Sequence, residues 1–292
     1  MKARKEQQIQ TILFPSSYFD EKKVDEDLKN EYDAVVETGL FDVILFGYDK
    51  WFREQKLDLS KEPETAITVL YRGWMMKPEL YHRFYEELQQ RGIQLLTSPE
   101  AYNRFHIFPN VYEEFGTDTP KMKVVYDTES DYLQEIRDSF ERFMVKDFVK
   151  SVKGTEFPKY FTKDVTDEEF FRWMQVFYKY RGDLLTGGLC FKEYVDLKTY
   201  DGKTNEYRVF YVDHEIATVS RNSAQPNYAP EPPTELIEKY QKLESPYYTI
   251  DYAELADGRW MILEAGDGSV SGLSEGQDAA AYYRALACLL HL

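Results

Sequence analysis

The residues best suited to chemistry are two carboxylates on neighbouring predicted strands. Asp251 lies in segment 247–252 and Glu264 ends segment 260–264, and both segments are otherwise mainly apolar or aromatic. A type I′ turn at Asp257-Gly258 is predicted to join them, so the two carboxylates would lie close together. Clustered carboxylates repel each other unless a cation neutralises them, and hard oxygen ligands suit Mg²⁺. The alternative is two ordinary acids on an edge strand.

A third acid follows directly after this predicted hairpin. Glu264 runs into Ala-Gly-Asp-Gly at 265–268. Glycine permits backbone conformations that other residues avoid, so a sharp turn here would bring Asp267 towards the pair. Asp251, Glu264 and Asp267 are therefore the predicted metal ligands.

Basic residues on other predicted strands suggest a phosphate site. Lys146 ends the apolar strand 143–146 and precedes a loop at 147–154 with two further lysines. Such a strand end suits the α- and β-phosphate oxygens of a nucleotide, although a solvated lysine is the alternative. Arg208 and Arg221 lie on apolar strands, where an arginine usually needs an anionic partner, unless both side chains lie on an exposed face.

Two further segments have both a functional and a structural interpretation. The strand at 189–195 continues into a polar stretch, as does an adenine-binding hinge whose backbone reads the edge of the base. It could equally be a plain core strand. Arg72, which leaves the strand at 66–71, could bind an acceptor carboxylate or stack on Trp74.

The order of predicted elements divides the chain into two parts. Before a polar segment at 116–120, strands and helices alternate, which is typical of a parallel α/β sheet. After it, strands follow one another closely, which favours an antiparallel sheet. We therefore predict an α/β N-terminal domain at 1–118 and an α+β domain with an antiparallel sheet at 119–292. The predicted strands are 11–14, 41–46, 66–71, 93–96, 122–126, 143–146, 189–195, 207–212, 216–220, 247–252 and 260–264, and the main helices are 26–37, 78–91, 132–140, 167–180 and 277–290.

The composition limits the classes of partner. The 292 residues carry a formal net charge of −16, which argues against nucleic acid or an anionic membrane as a partner but leaves room for a local basic pocket. Only two cysteines are present, too few for a disulfide framework or a cysteine-based zinc site. The first residues are polar and predict no signal peptide, so a cytoplasmic protein is expected.

Taken in order, these features resemble the ATP-grasp superfamily over residues 100 to 275. The shared features are a lysine at a strand end, a hinge strand, Glu206-x-Arg208, a second arginine, and acids on a closing hairpin. The segment Ile-Leu-Glu-Ala-Gly-Asp-Gly-Ser-Val-Ser-Gly-Leu at 262–273, with Tyr-Arg-Gly-Trp at 71–74, is similar to the divergent R2K clade of that superfamily.

The resemblance implies ATP and Mg²⁺ as cofactors and assigns roles to individual residues. Asp251 and Glu264 would hold the metal, and Arg208 and Arg221 would contact the terminal phosphates as the catalytic pair. For Arg72, binding of the acceptor carboxylate and stacking on Trp74 both stay open. The sequence departs from the usual pattern at Gly266, where other members have Asn, and in its short, glycine-poor phosphate loop. The implied nucleotide-binding residues are Arg104, Lys146, Lys192, Glu193, Tyr194, Val195 and Glu206.

The activity implied by the resemblance is a carboxylate–amine ligase that forms an acylphosphate and releases ADP and phosphate. Its substrates would be a carboxylate and an amine, one of them carried by a peptide or protein in some members. Two alternatives stay open: a kinase that stops at phosphoryl transfer, and a nucleotide-binding assembly factor without turnover, as in a eukaryotic branch of the clade. The sequence identifies neither the substrates nor the oligomeric state.

Overall fold

A computed structural model describes residues 9–126 and 131–290 of the chain. The polar residues 1–8, on which the prediction of no signal peptide depends, lie outside the described ranges. Of the helices in these ranges, none has both the length and the apolar character needed to span a bilayer.

The N-terminal part forms a parallel four-stranded sheet in the order β2-β1-β3-β4, as the alternating pattern predicted. Helix α3 shows how local sequence sets the bounds, because Pro78 stands at its first turn and Gly92 follows it with φ of 77°. The strands are β1 (Thr11–Pro15), β2 (Asp42–Phe46), β3 (Ile67–Tyr71) and β4 (Ile93–Leu95), and the helices are α1 (Lys29–Thr38), α2 (Tyr48–Glu54), α3 (Pro78–Gln90) and α4 (Pro99–His106).

A second, smaller sheet is antiparallel and has the order β5-β8-β6-β7. Helix α6 covers one face of it through an aromatic core, and its first turn is capped by Thr166, whose hydroxyl accepts the Glu169 N–H. The strands are β5 (Met122–Val125), β6 (Arg142–Asp147), β7 (Phe161–Thr162) and β8 (Leu189–Glu193), and the helices are α5 (Leu133–Ser139) and α6 (Asp167–Arg181).

The third sheet is also antiparallel, with the order β12-β11-β13-β14, and a short hairpin of β9 and β10 precedes it. The strands are β9 (Thr199–Tyr200), β10 (Lys203–Thr204), β11 (Glu206–Val212), β12 (Glu215–Arg221), β13 (Tyr247–Glu254) and β14 (Trp260–Asp267), and the helices are α7 (Thr234–Glu238) and α8 (Ala279–Leu289). Short segments of 3-10 helix occur at Glu26–Leu28, Phe108–Asn110, Tyr112–Asp118, Gly182–Leu184 and Gly268–Val270.

The turn predicted at Asp257-Gly258 differs in form from the turn that joins β11 and β12. Asp213 and His214 both have positive φ, 47° and 64°, as a type I′ turn requires. At Asp257-Gly258, only the glycine has positive φ, and Leu255 and Arg259 close a longer loop by a hydrogen bond of 2.7 Å. The prediction of a two-residue type I′ turn there was therefore wrong, although the hairpin itself is present.

The core runs across the boundary expected near residue 118. Phe14 and Val35 of the first sheet and helix α1 belong to the same buried cluster as Phe210, Tyr247 and Tyr283. Helix α8 packs directly on α1. The third sheet is thereby fixed against the N-terminal part, and the division at 118/119 stays a prediction.

Candidate functional site

The candidate site lies where the second and third sheets face each other. Lys146 on β6 and Lys192 on β8 project from the same face of the second sheet, since Met144 pairs with Lys192 and Lys146 with Cys190. Both ammonium groups lie over the ring of Phe108, at 5.2 Å and 4.6 Å from its centre. Both also reach β14 of the third sheet, so the lysines span the cleft between the sheets.

Lys146 forms an ion pair with one of the predicted metal ligands. Its Nζ lies 2.7 Å from Oε1 of Glu264, and 7% of the Lys146 side chain and 41% of the Glu264 side chain are exposed. Burial opposes ionisation of Glu264, but the ion pair prevails and lowers the pKa of Glu264 to about 2. Lys146 therefore already holds a carboxylate oxygen, the kind of group that a phosphate oxygen would replace.

Lys192 lies beside this pair, and no carboxylate of residues 9–126 or 131–290 forms a salt bridge with it. Its Nζ donates to the carbonyl oxygen of Leu263 at 2.6 Å. Burial, reinforced by the nearby positive charge of Lys146, lowers the pKa of Lys192 to about 7. An anion entering between the two lysines would therefore favour the protonated form of Lys192.

The second predicted metal ligand is also held by a cation. Arg208 binds Asp251 through two parallel hydrogen bonds, Nε to Oδ1 at 2.8 Å and Nη2 to Oδ2 at 2.7 Å. A third bond, from Nη1 to the carbonyl of Gly272, is 2.9 Å long. Burial opposes the charge of Arg208, yet Asp251 raises its pKa above the usual value.

A β-bulge places the two carboxylates side by side. The register of β13 and β14 shifts between Asp251 and Tyr252, so Tyr252 pairs with Ile262 and Asp251 with Glu264, and Leu263 has no partner. A bulge inserts one residue and changes the face on which the following side chains lie. Without this shift, Leu263 would stand opposite Asp251, so the bulge creates the pair.

The carboxylate pair lines a cavity of about 110 Å³ between the sheets. His106 and Lys150 also line it, and the predicted site residues did not include them. Burial, with a contribution from the charge of Lys150, lowers the pKa of His106 to about 4. Lys150 comes from the loop after β6, whose lysines suggested phosphate binding, whereas nothing in the sequence marks His106.

The donor set suits Mg²⁺ bound together with a phosphorylated ligand. Mg²⁺ is usually held by one or two carboxylates plus substrate phosphates rather than by a cage made of protein groups alone. Asp251 and Glu264 supply two such carboxylates on one face of the sheet. Within the described residues, no group of three or more His, Cys, Asp or Glu side chains could hold a metal ion, so the phosphate oxygens would have to complete the coordination.

The predicted adenine hinge has one open backbone donor. The N–H of Glu193 donates to Lys121 O and that of Tyr194 to Arg142 O, so neither is available to a base. The N–H of Val195 has no hydrogen-bond partner within the described part of the chain. Val195 is therefore the hinge residue best placed to contact adenine.

Comparison with known proteins assigns the family. The profile of the ATP-grasp domain, R2K clade family 3, matches residues 134–286, just over half of the chain. The chain belongs to this ATP-grasp family. Its sequence has no significant match among curated proteins.

Solved structures of ATP-grasp ligases share the fold over nearly the whole chain. D-cycloserine synthetase DcsG is 15% identical with a TM-score of 0.59, over 96% of this chain and 99% of that chain. ATP-grasp ligase PsnB, solved with a minimal precursor, Mg and ADP, is 12% identical with a TM-score of 0.59, over 96% and 98%. D-alanyl-alanine synthetase A from Vibrio cholerae is 11% identical with a TM-score of 0.60, over 97% and 99%. The ATP-grasp fold thus includes the N-terminal α/β part.

Within this ATP-grasp fold, Asp267 belongs to the lining of the same cavity as Asp251 and Glu264 but differs from them in the face of the sheet on which it lies. It pairs with Tyr248 across the hairpin and so points to the face opposite Glu264. Its side chain is fully buried, Oδ1 accepts the Ser269 N–H at 2.9 Å, and Oδ2 has no partner among the described residues. Burial raises the pKa of Asp267 to about 7. The structure therefore does not support its predicted role as a metal ligand.

Arg221 is separated from Arg208 in the same way. The register of β11 and β12 shifts between Phe210 and Tyr211, which pairs Arg221 with Tyr207 instead of Glu206. Its guanidinium lies over the Tyr207 ring, 5.7 Å from the ring centre, on the face opposite Arg208. Of the two arginines, Arg208 lines the cavity and Arg221 does not, so the structure does not bring them together as the predicted pair on the terminal phosphates.

Arg72 is buried inside the protein and engaged by internal partners. It forms a bidentate ion pair with Glu31, at 2.9 Å and 2.8 Å, and only 1% of its side chain is exposed. It also donates to the carbonyls of Gly268 and Ser271. A Cβ on Gly268 would lie 2.6 Å from the Tyr247 ring, so this close approach requires glycine. Arg72 therefore fixes the loop after β14 to the N-terminal sheet, and binding of an acceptor carboxylate is not supported.

The two remaining predicted nucleotide ligands differ in their placement. Arg104 pairs with Glu114 and, at 3.6 Å, with Glu244, and it does not line the cavity. Residues two apart on a helix point in roughly opposite directions, which explains why His106 of α4 lines the cavity instead. Glu206 lies two residues before Arg208 on the same face of β11, where its carboxylate accepts from the hydroxyls of Thr204 and Ser223. A ribose contact at Glu206 stays a prediction.

Proposed function

We propose that this protein is an ATP- and Mg²⁺-dependent ligase that joins a carboxylate to an amine through an acylphosphate, with ADP and phosphate as products. The proposal is carried by one arrangement, the cross-strand pair Asp251 and Glu264 on the cavity wall, which are already neutralised by Arg208 and Lys146 respectively. The shared fold with ATP-grasp ligases supports the same class of reaction.

The two ion pairs describe how the site would change when nucleotide binds. Lys146 and Arg208 would exchange their carboxylate partners for phosphate oxygens, and Asp251 and Glu264 would turn to Mg²⁺. When bound, Mg²⁺ supplies neutralisation of the β- and γ-phosphate oxygens. Because each of these four groups exchanges one partner for another, Lys146, Arg208, Asp251 and Glu264 would all have an oppositely charged partner in both states.

The reaction would proceed in two displacements. An oxygen of the substrate carboxylate attacks the γ-phosphorus, and the bond to the bridging oxygen breaks so that ADP leaves with the electron pair. The amine nitrogen then attacks the acyl carbon, the C–O bond to phosphate breaks, and the amine loses a proton to solvent. Arg208 and Lys150 face the cavity in which charge develops, and their fixed positive charges would stabilise both steps.

Calorimetry and trapping test this proposal. Wild-type protein should bind ATP in a Mg²⁺-dependent manner, and Asp251→Asn with Glu264→Gln should weaken that binding strongly, whereas Asp257→Asn in the exposed turn should not. With hydroxylamine and pooled carboxylates, an acylphosphate would be captured as a hydroxamate while ADP accumulates. Release of AMP, or turnover on an alcohol with no carboxylate in the mixture, would place the protein outside the ligase class.

An assembly factor that binds nucleotide without turnover is the second candidate. Tyr18 and Phe19 are adjacent and are 60% and 90% exposed, and Arg53 lies over the Tyr18 ring next to the exposed Phe52. Exposed aromatic clusters of this kind occur at protein interfaces. Tight Mg²⁺-dependent ATP binding, with no ADP release from any substrate pool, would favour this function.

A further inference from the structure

A second and larger cavity adjoins the candidate phosphate site. Its volume is about 660 Å³, within the range of small-molecule sites. It shares Met75, Lys150 and the segment 270–272 with the smaller cavity, so the two adjoin each other. A molecule held in the larger cavity would therefore lie next to the group on which phosphoryl transfer is proposed.

The charges around this cavity are unbalanced once internal pairs are removed. Glu31 and Arg72 neutralise each other, and Glu31 also accepts the hydroxyl of Tyr283 at 2.7 Å. Asp27 and Glu275 also line the cavity, and neither forms a salt bridge with any residue in the described ranges. Both lie on the part of the wall that is not shared with the phosphate site, whereas Lys150 stands at the junction.

Apolar side chains form part of the remaining wall. Leu28, Trp74 and Met75 from the N-terminal part face Val270 and Leu273 from the loop after β14, and all five are partly exposed. Such a surface suits an aliphatic chain. The cavity thus has Lys150 where it adjoins the phosphate site and apolar side chains on part of its wall. Asp27 and Glu275 lie on the part of the wall that is not shared with the phosphate site, which we call its outer end.

We propose that this cavity binds the amine substrate, and that this substrate is a lysine-like or diamine molecule. Its second amino group would stay protonated during the reaction. The inference rests on the proposed ligase function. The reacting amine would lie at the junction with the phosphate site, its alkyl chain along the apolar wall, and the distal ammonium between Asp27 and Glu275. A dicarboxylate is disfavoured, because the outer end would repel its second charge.

The reaction balances without any further reactant. The neutral amine nitrogen forms the C–N bond to the acyl carbon, the C–O bond to phosphate breaks, and phosphate leaves with the electron pair. The proton lost by the nitrogen passes to solvent through the open cavity. The distal ammonium keeps its proton throughout, so it acts only in recognition.

Binding measurements with matched probes test the inference independently of turnover. Calorimetry in the presence of Mg²⁺ and a non-hydrolysable ATP analogue would compare 1,5-diaminopentane, pentylamine and glutarate. Two exposed ion pairs at the outer end predict about fivefold tighter binding of the diamine than of pentylamine. The variant Asp27→Asn with Glu275→Gln should lose that preference, whereas the charge-matched control Glu26→Gln with Glu37→Gln should keep it.

The outcomes separate this inference from the proposed function. If the nucleotide analogue binds but the diamine shows no preference, or glutarate binds most tightly, the amine site is wrong and the nucleotide site stands. If the preference is present and depends on Asp27 and Glu275 while no nucleotide binds, the amine site stands and the ligase function fails. A preference that survives in the double variant would also overturn the assignment.

Discussion

Replacement of Lys146 by methionine tests the candidate phosphate site most directly. Methionine keeps much of the length and apolar volume of lysine over the Phe108 ring but removes the charge. In the free protein, the Lys146 side chain is 7% exposed and its ammonium nitrogen lies 2.7 Å from Oε1 of Glu264. The variant should therefore lose both this ion pair and the proposed contact with a phosphate oxygen.

The size of the effect follows from what Lys146 exchanges. A charge-assisted hydrogen bond contributes about 1.5–3 kcal/mol. Because Lys146 must give up Glu264 to bind phosphate, the net contribution should lie at the lower end, about 1.5–2 kcal/mol, or roughly tenfold to thirtyfold in Kd for Mg-ATP. The free energy of unfolding should fall by only about 1 kcal/mol, since Glu264 is 41% exposed and can be solvated.

Calorimetry with Mg-ATP measures this change, and Lys153→Met is the matched control from the exposed part of the same loop. A second arm uses the competition between phosphate and Glu264 for Lys146. Without Mg²⁺, Glu264→Gln should bind ATP more tightly than wild type, because Lys146 is released and a repelling charge is lost. Unchanged affinity in Lys146→Met, or an equal loss of affinity in Lys146→Met and in the Lys153→Met control, would refute the assignment of Lys146.

Three further predictions concern other residues of the site and its frame. Arg208→Met should lower ATP turnover, because its charge faces the cavity, whereas Arg221→Met on the opposite face should leave turnover unchanged; equal losses of kcat would contradict the placement by register. Arg72→Met should reduce the free energy of unfolding by about 3–5 kcal/mol in chemical denaturation, because it leaves Glu31 buried and unpaired. The control Lys163→Met breaks an exposed ion pair and should reduce the free energy of unfolding by less than about 1 kcal/mol. His106 has a pKa of about 4, below its unfolded value, so the folded state binds fewer protons and stability should fall as pH decreases from about 6.5 to about 4. When thermal unfolding is measured across this pH range, the Tm of His106→Phe should depend less on pH than the Tm of the wild type.

The sequence alone determined the main secondary-structure elements and three residues of the candidate site, Lys146, Asp251 and Glu264. Alternation of apolar strands with amphipathic helices predicted the parallel N-terminal sheet, and closely spaced strands predicted the antiparallel sheets, because hydrophobic period and turn residues are local properties. Lys146 was identified in the same way, from a charged residue at the end of an apolar strand. Asp251 and Glu264 were identified as neighbours from the hairpin that joins their strands.

The tertiary structure decided which of these side chains meet. Two β-bulges, neither visible in the pattern of residues, bring Glu264 opposite Asp251 and turn Arg221 away from Arg208. Each bulge shifts the register by one residue, and since side chains alternate, one residue is enough to move a side chain to the other face of a sheet.

Long-range packing decided the rest. Glu31 and Arg72 are 41 residues apart, and only the folded chain shows that their charges satisfy each other inside the protein. His106 joins the cavity because α4 packs against β14. The sequence specifies residue types and local periods, but which charges are paired, and which therefore remain free for a ligand, depends on contacts between segments that are distant in the chain.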